Sequence, residues 1–273
     1  MATAKFKETT SPYARQKPSP PADDYLYSKY LENFTLKTED EPIIRVALFG
    51  VGRAGTIHLE NIISNIRVKL LYIVDDVESN WRALQKYWRL DNITFLNSKQ
   101  SDKVFKDPNV DAVVVASPTY THEDIVIKAL EAKKAVFCEK PIAENIQDTA
   151  KCYEIAKKVG KPLFCAFNRR FDPSYSNVRD RVRKGEVGHV QTIKTVSRDS
   201  PLPTIEYLKL SGGIFHDCMV HDIDIITWVL GEYPDKLMFR EKQRVTPKNC
   251  PFFGPSILRL NCVPSDTSKR EED

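Results

Sequence analysis

Two short stretches carry residues whose types suit proton chemistry: FCEKP, with Lys140 ahead of a proline, and HDCMVHD, with Asp217 four residues before His221. A lysine that leaves an apolar run directly before a proline-fixed turn can place positive charge on a hydroxyl oxygen and on the alkoxide that develops from it. On a helix, positions four apart share one face, so the Asp217 carboxylate could orient the His221 imidazole. Histidine titrates in the right range to take a hydroxyl proton. Two plainer readings stand beside this one. His216, Asp217 and His221 could hold a metal, or His221 could be a satisfied core histidine. The spacing fits no strong zinc pattern and no second cluster supplies further ligands, so no metal is expected.

A second kind of chemistry is suggested by ALFGVGRAGTIHLENI, residues 47–62, where Gly50, Gly52 and Gly55 fall in a GxGxxG pattern after an apolar run. Glycines punctuate many strand-to-helix turns for steric reasons alone, so the pattern needs its context. The context is present. Asp75 ends the next apolar run, VKLLYIVDD, where a carboxylate can accept hydrogen bonds from ribose hydroxyls. In this arrangement Gly50 allows the tight turn, Gly52 lets the backbone approach a pyrophosphate, and Gly55 lets helix and strand pack closely. Arg53 and Ala54 lie between the glycines and join the expected cofactor contacts. Asp75 and Asp76 would repel a 2′-phosphate and no arginine follows directly, so NAD is favoured over NADP. Further along, VVVASPTYTHED sets Ser117, Thr119 and His122 just past the end of another apolar run, where ligands gather in open sheets. Thr121 is read as an ordinary helix N-cap. Glu139 and Lys140 complete the expected cofactor-binding set.

The elements that must position these residues follow from periodicity. IIRVALFG, VKLLYIVDD, NITFL, DAVVVASP, KAVFCEKP and KPLFCAFN are short apolar runs of strand length. Between them lie helical patterns, among them AGTIHLENIISNI, VESNWRALQKYWRL, THEDIVIKALEAK and ENIQDTAKCYEIAKKVG. Fully apolar strands alternating with helices predict an α/β fold: a doubly wound parallel (Rossmann) sheet over residues 43–167, covered on both faces. Residues 1–42 are polar and proline-containing and are expected to be an extension, disordered at least at its start. After Asn168 the pattern changes. A helix in PSYSNVRDRVRKG, a strand in GHVQTIKTVSRD and a helix in MVHDIDIITWVLG predict a second, α+β domain over 168–273. Beyond Gly231 the periodicity decays into an irregular, proline-containing tail.

Composition excludes several classes. The net charge of +4 over 273 residues is mild, and the densest basic stretch is interleaved with Asp172, Asp180 and Glu186. That is a solvated face rather than a nucleic-acid footprint. No apolar run approaches the length that spans a bilayer. The six cysteines show no CxxC spacing, which suits reduced, packed thiols and a cytoplasmic location.

Taken together, GVGRAGTIH, IVDD, VVVASPTYTH, CEKPIA, FNRRFDPSY, SRD and SGGIFHDCMVHDID resemble the Gfo/Idh/MocA oxidoreductases, and within them the inositol 2-dehydrogenase-like branch. The resemblance runs from about Ile43 to Leu230. It implies that Lys140, Asp217 and His221 are a catalytic trio and that Arg170 lies with Lys140 and His221 near a cyclic polyol or sugar substrate. It also implies a cis Lys140–Pro141 bond, NAD as hydride acceptor, and a homo-oligomer formed through the second domain's sheet. In that family the second domain continues as a large open antiparallel sheet, for which the sequence after WVLGEYPDKL looks too short. The second domain is therefore expected to be incomplete, and turnover weak. Two alternatives stay open: a nucleotide-binding protein without turnover, and a dehydrogenase for another sugar or a dihydrodiol.

Overall fold

The computed structural model describes residues 42–197, 215–233, 236–241 and 256–261. The expected N-terminal extension, as far as residue 41, and the segment 198–214 lie outside the described residues. The elements follow the alternation read from the sequence: β1 (Ile44–Phe49), α1 (Arg53–Ser64), β2 (Val68–Val74), α2 (Glu78–Trp88) and β3 (Thr94–Leu96), then α3 (Asp102–Lys106), β4 (Ala112–Val115), α4 (His122–Glu131), β5 (Ala135–Cys138), α5 (Ile146–Val159) and β6 (Leu163–Cys165). Of these α3 has no periodic signal, because at five residues it is too short to show one.

The strands form one six-stranded sheet in the order β3-β2-β1-β4-β5-β6, and every pairing is parallel. The chain reverses direction across the sheet between β1 and β4, which opens a crevice at their carboxyl ends. Alternation along β1 explains why both faces need helices. Val46 and Leu48 pack with Leu59 and Ile62 of α1 and with Leu70 and Ile73 of β2. Ala47 and Phe49 face the other side, with Val126 and Leu130 of α4 and Cys152 and Ala156 of α5. Each fully buried aliphatic side chain contributes about 1.5–3 kcal/mol, so neither layer of helices is dispensable. Local signals fix the ends of α5: the Asn145 side chain accepts from the Asp148 N–H, and Gly160 takes the left-handed conformation after Val159.

Beyond the sheet, Asp172 caps α6 (Pro173–Arg183), with Pro173 at its first position. A π-helical turn, Phe215–Met219, leads into α7 (Val220–Leu230). Helix α6 seats α7 by its arginines. Arg183 donates to the carbonyls of Val229 and Trp228 at the end of α7, and Arg179 lies over the Trp228 ring at 4.7 Å.

Two expectations for this region are corrected. Residues 188–197, expected as a half-buried strand, have no regular structure, and 191–197 are exposed. Alternation alone does not make a strand; a hydrogen-bonded neighbour does, and among the described residues none pairs with this stretch. Conversely, the tail read as irregular contains β7 (Lys236–Glu241) and β8 (Ser256–Asn261), paired antiparallel with Leu237 opposite Leu260 and Phe239 opposite Leu258. KLMFRE and SILRLN are each too short to stand out, and fourteen intervening residues separate them.

Candidate active site

The glycine loop sits at the carboxyl end of β1. Gly50 has φ of +85°, and a Cβ there would lie 2.6 Å from the Ser117 backbone at the end of β4. A Cβ on Gly55 would meet the Gly50 carbonyl oxygen at 2.0 Å, which is how α1 comes so close to the turn. Gly52 differs from both, since a Cβ there would meet nothing within 4 Å. It is also the N-cap of α1, and no side chain caps that helix. An uncapped helix N-terminus with open space beside its glycine fits an anion such as a pyrophosphate. Arg53, Ala54 and Gly55 form the first turn behind it.

These contrasts give a paired expectation. Gly55→Ala should destabilise the fold by about 2 kcal/mol or more, because backbone would have to move. Gly52→Ala should leave the melting temperature close to normal yet weaken NAD binding about tenfold or more, if the phosphates approach that atom. Thermal melts beside calorimetric titrations separate the two; unchanged NAD affinity in Gly52→Ala would remove Gly52 from the site.

Asp75 follows β2 and reaches back to the loop. Its Oδ2 accepts from the Val51 N–H at 2.8 Å and its Oδ1 from the Val77 N–H at 2.8 Å. Asp76 turns elsewhere and accepts from the Ser98 N–H. Ser117 follows β4, with its hydroxyl 2.6 Å from that of Thr121, and Thr119 opens the short turn before α4. Thr121 stands at the N-cap position without a side-chain cap bond; its hydroxyl donates to the Pro118 carbonyl instead.

His122 requires a correction. Its ring is 1% exposed and lies 2.7 Å from the Pro141 carbonyl through Nδ1 and 2.8 Å from the Ser117 carbonyl through Nε2. Although it opens α4, its buried ring is not placed to touch a cofactor. The ring sits between the turn after β4 and the turn after β5, with a carbonyl of each against one ring nitrogen.

Lys140 leaves β5 at the same edge, and its bond to Pro141 is cis. Its ammonium donates to the Asp217 carboxylate at 2.9 Å and to the Asp217 carbonyl at 2.7 Å, both groups being mostly buried. His221 stands one turn further along, half-buried, with Phe167 packed edge-on against its ring. Burial, together with the nearby charges of Lys140 and Arg169, holds its pKa below the ordinary histidine value. The structure thus brings Lys140, Asp217 and His221 together. The expected coupling differs, however: His221 Nδ1 is buried and has no hydrogen-bond partner among the described residues, so Asp217 does not hold the ring through that nitrogen. The wider π turn carrying Asp217 accounts for this, since four residues no longer stack as they do on a regular helix. The metal alternative rests on His216, whose side chain lies outside the described residues.

Arg170 is engaged by a residue the sequence reading did not single out. Its guanidinium forks onto Asp224, which is 7% exposed, through Nε at 2.9 Å and through a terminal nitrogen, and it lies over the Phe167 ring. Arg169 beside it donates to Asp222 at 2.6 Å. These two pairs hold α7 against the turn Asn168–Phe171 and so carry His221 to the sheet edge. Another residue without an assigned role is His58 on α1, whose Nε2 lies 2.7 Å from Glu139 Oε1. The partners are 81 positions apart, so no local spacing could have paired them. Burial pushes the Cys165 thiol up to about 12 and that of Cys152 up to about 11, which disfavours their thiolates.

Comparison with known proteins bears on the fold and the family. Residues 44–167 match a family model described as an oxidoreductase family with an NAD-binding Rossmann fold, and residues 175–254 match the GFO/IDH/MocA C-terminal domain. A myo-inositol 2-dehydrogenase of Thermotoga maritima is 38% identical over 190 residues, covering 69% of this chain and 55% of that protein. A scyllo-inositol 2-dehydrogenase (NAD(+)) of Bacillus subtilis is 34% identical over 69% of this chain and 54% of its own length. The crystal structure of a scyllo-inositol dehydrogenase from Lactobacillus casei, with bound NAD(H) and scyllo-inositol, superposes with a TM-score of 0.66 at 28% identity over 74% of this chain and 60% of that one. The chain therefore spans little more than half the length of these relatives.

Proposed function

Because the chain belongs to the Gfo/Idh/MocA oxidoreductase family, we propose that it binds NAD and oxidises a secondary alcohol of a cyclic polyol, myo-inositol or a close relative. The observation that carries this reading is the meeting of Lys140, from the sheet edge, with Asp217 and His221, from the helix beyond it, at the same edge as the open glycine turn. The names of the relatives supply the substrate class. No helix among the described residues is long and apolar enough to cross a membrane.

The residues present fit the cofactor. Gly52 and the first turn of α1 would hold the pyrophosphate, and the Asp75 carboxylate, already beneath that loop, would hold the ribose hydroxyls. Bound there, NAD supplies a hydride acceptor, and the redox chemistry is its own. The protein's share is proton and charge management. Lys140 would place its ammonium on the substrate hydroxyl and favour the anionic oxygen as the proton leaves. Asp217 fixes that ammonium from two sides. His221 would take the proton, and its lowered pKa keeps it in the accepting form at neutral pH.

The test is an NAD-reduction assay with myo-inositol and scyllo-inositol across pH, run beside a calorimetric NAD titration. NADH formation is expected to rise with pH along an acid limb whose midpoint lies below the ordinary histidine value of 6.5, and His221→Gln should remove that limb with most of the rate. Binding without reduction of NAD by any cyclic polyol would favour the reading as a nucleotide-binding protein without turnover. Turnover with another sugar or a dihydrodiol alone would move the substrate and keep the mechanism.

A further inference from the structure

We propose that His58 is a positioning residue for this reaction: it fixes the Glu139 carboxylate, and through Glu139 the turn that carries Lys140, to the same helix that begins at the glycine loop. The inference rests on the NAD-dehydrogenase reading and deepens it. Five observations support it. His58 Nε2 lies 2.7 Å from Glu139 Oε1, and the two side chains are only 20% and 23% exposed. Edge-on contact with Phe137, at 5.3 Å between ring centres, restrains the imidazole, and Phe137 is in turn stacked on Phe164. The second carboxylate oxygen of Glu139 accepts from the Lys140 N–H at 3.3 Å. The Glu139 N–H is anchored on the Val115 carbonyl at the end of β4. Finally, His58 is three residues after Gly55, so the helix that would receive the pyrophosphate is the one that holds Glu139.

A polar contact placed only for stability could sit anywhere on the surface and would contribute little. This one joins the cofactor loop to the residue before the catalytic lysine. Its chemical consequence is the charge on Glu139. Burial pushes that carboxyl up, but the His58 hydrogen bond and charge, with Lys140 adding to them, bring it below the usual carboxylate range. Without His58, burial acts on the carboxyl with less opposition and moves it toward its protonated form. A protonated Glu139 loses acceptor capacity for a cofactor hydroxyl and for the Lys140 N–H.

Other groups facing Glu139 are Lys140 on its own turn, His221 from α7, and the thiols of Cys138 and Cys165. Burial keeps both thiols protonated far above neutrality, and His221 is common to every variant compared. NAD affinity is therefore measured by calorimetry between about pH 5.5 and 8, and each variant is read against the trend of the unsubstituted chain. The proteins are the unsubstituted chain, His58→Leu, His58→Gln and Glu139→Gln, each first checked for a cooperative melt.

In His58→Leu, affinity should fall about tenfold or more at the acid end and recover as pH rises and the carboxyl ionises. His58→Gln, which keeps a donor to Oε1, should restore most of it. Glu139→Gln should show a loss that does not change with pH in this window beyond the trend of the unsubstituted chain. Affinity in His58→Leu equal to the unsubstituted protein at every pH would overturn the proposal. So would a uniform loss without recovery at high pH and without rescue by glutamine, since that is what a merely structural role predicts. Failure of the unsubstituted chain to bind NAD would bring down the cofactor reading and this inference together, and is told apart by appearing before any substitution is made.

Discussion

Lys140→Met is expected to lower turnover by about a hundredfold or more while NAD affinity changes little. Methionine keeps an unbranched, apolar stem one atom shorter and removes the charge and the donors. The ammonium carries three hydrogens, and two of them are spent on the Asp217 carboxylate and carbonyl, at 2.9 and 2.7 Å. One donor is left for a substrate oxygen, and its orientation is set by the other two. That geometry favours the anionic oxygen over the hydroxyl, so its loss should fall on kcat rather than on cofactor binding. Arginine should not rescue it, since a planar fork cannot reproduce two bonds to one residue and a third to the substrate. Steady-state kinetics with the polyol, beside an NAD titration, check both halves. Near-normal turnover in Lys140→Met would take the lysine out of the mechanism and leave its contact with Asp217 as a structural tie.

What the sequence made legible depended on the range of the signal. The parallel sheet could be read because its strands are short apolar runs and the longer helices between them show a 3.6-residue stripe, which the five-residue α3 is too short to carry. Gly50 and Gly55 could be assigned because a tight turn with positive φ at the first and a close backbone approach five residues on at the second demand them. The trio's residues were legible as types, but not their wiring: an α-helical spacing linked Asp217 to His221, whereas a π turn sends the Asp217 carboxylate to Lys140, 77 positions away. His122 misled for a related reason. A histidine in the first turn of a helix looks polar and accessible, and only the tertiary fold shows two carbonyls closing over it. The strand expected in residues 188–197 and the strands β7 and β8 show the same limit, because pairing is a property of two segments and alternation describes one.

Asp75 should impose a preference for NAD over NADP of more than about a hundredfold, which corresponds to about 2.7 kcal/mol. The strand order and the two hydrogen bonds of its carboxylate set it beneath the glycine loop, where the adenosine ribose of a bound dinucleotide would lie. A 2′-phosphate there would stand within a few ångströms of a carboxylate. At a separation of about 4 Å and an effective dielectric of about 20, one such pair of like charges costs about 4 kcal/mol, enough to outweigh solvent relaxation of the site. Asp76 adds to the field, although its carboxylate is turned toward the Ser98 N–H. The informative variant is Asp75→Asn. It keeps an oxygen for one of the two N–H groups and removes the charge, so the preference should shrink by about tenfold or more with little loss of stability. Asp75→Ala should cost NAD affinity as well, because the Val51 N–H that Asp75 now tethers would lose its acceptor. Calorimetric titration of both dinucleotides against the three proteins decides the matter. Equal affinity of the unsubstituted chain for NAD and NADP would overturn the assignment of Asp75 to the ribose and leave it a brace for the glycine loop.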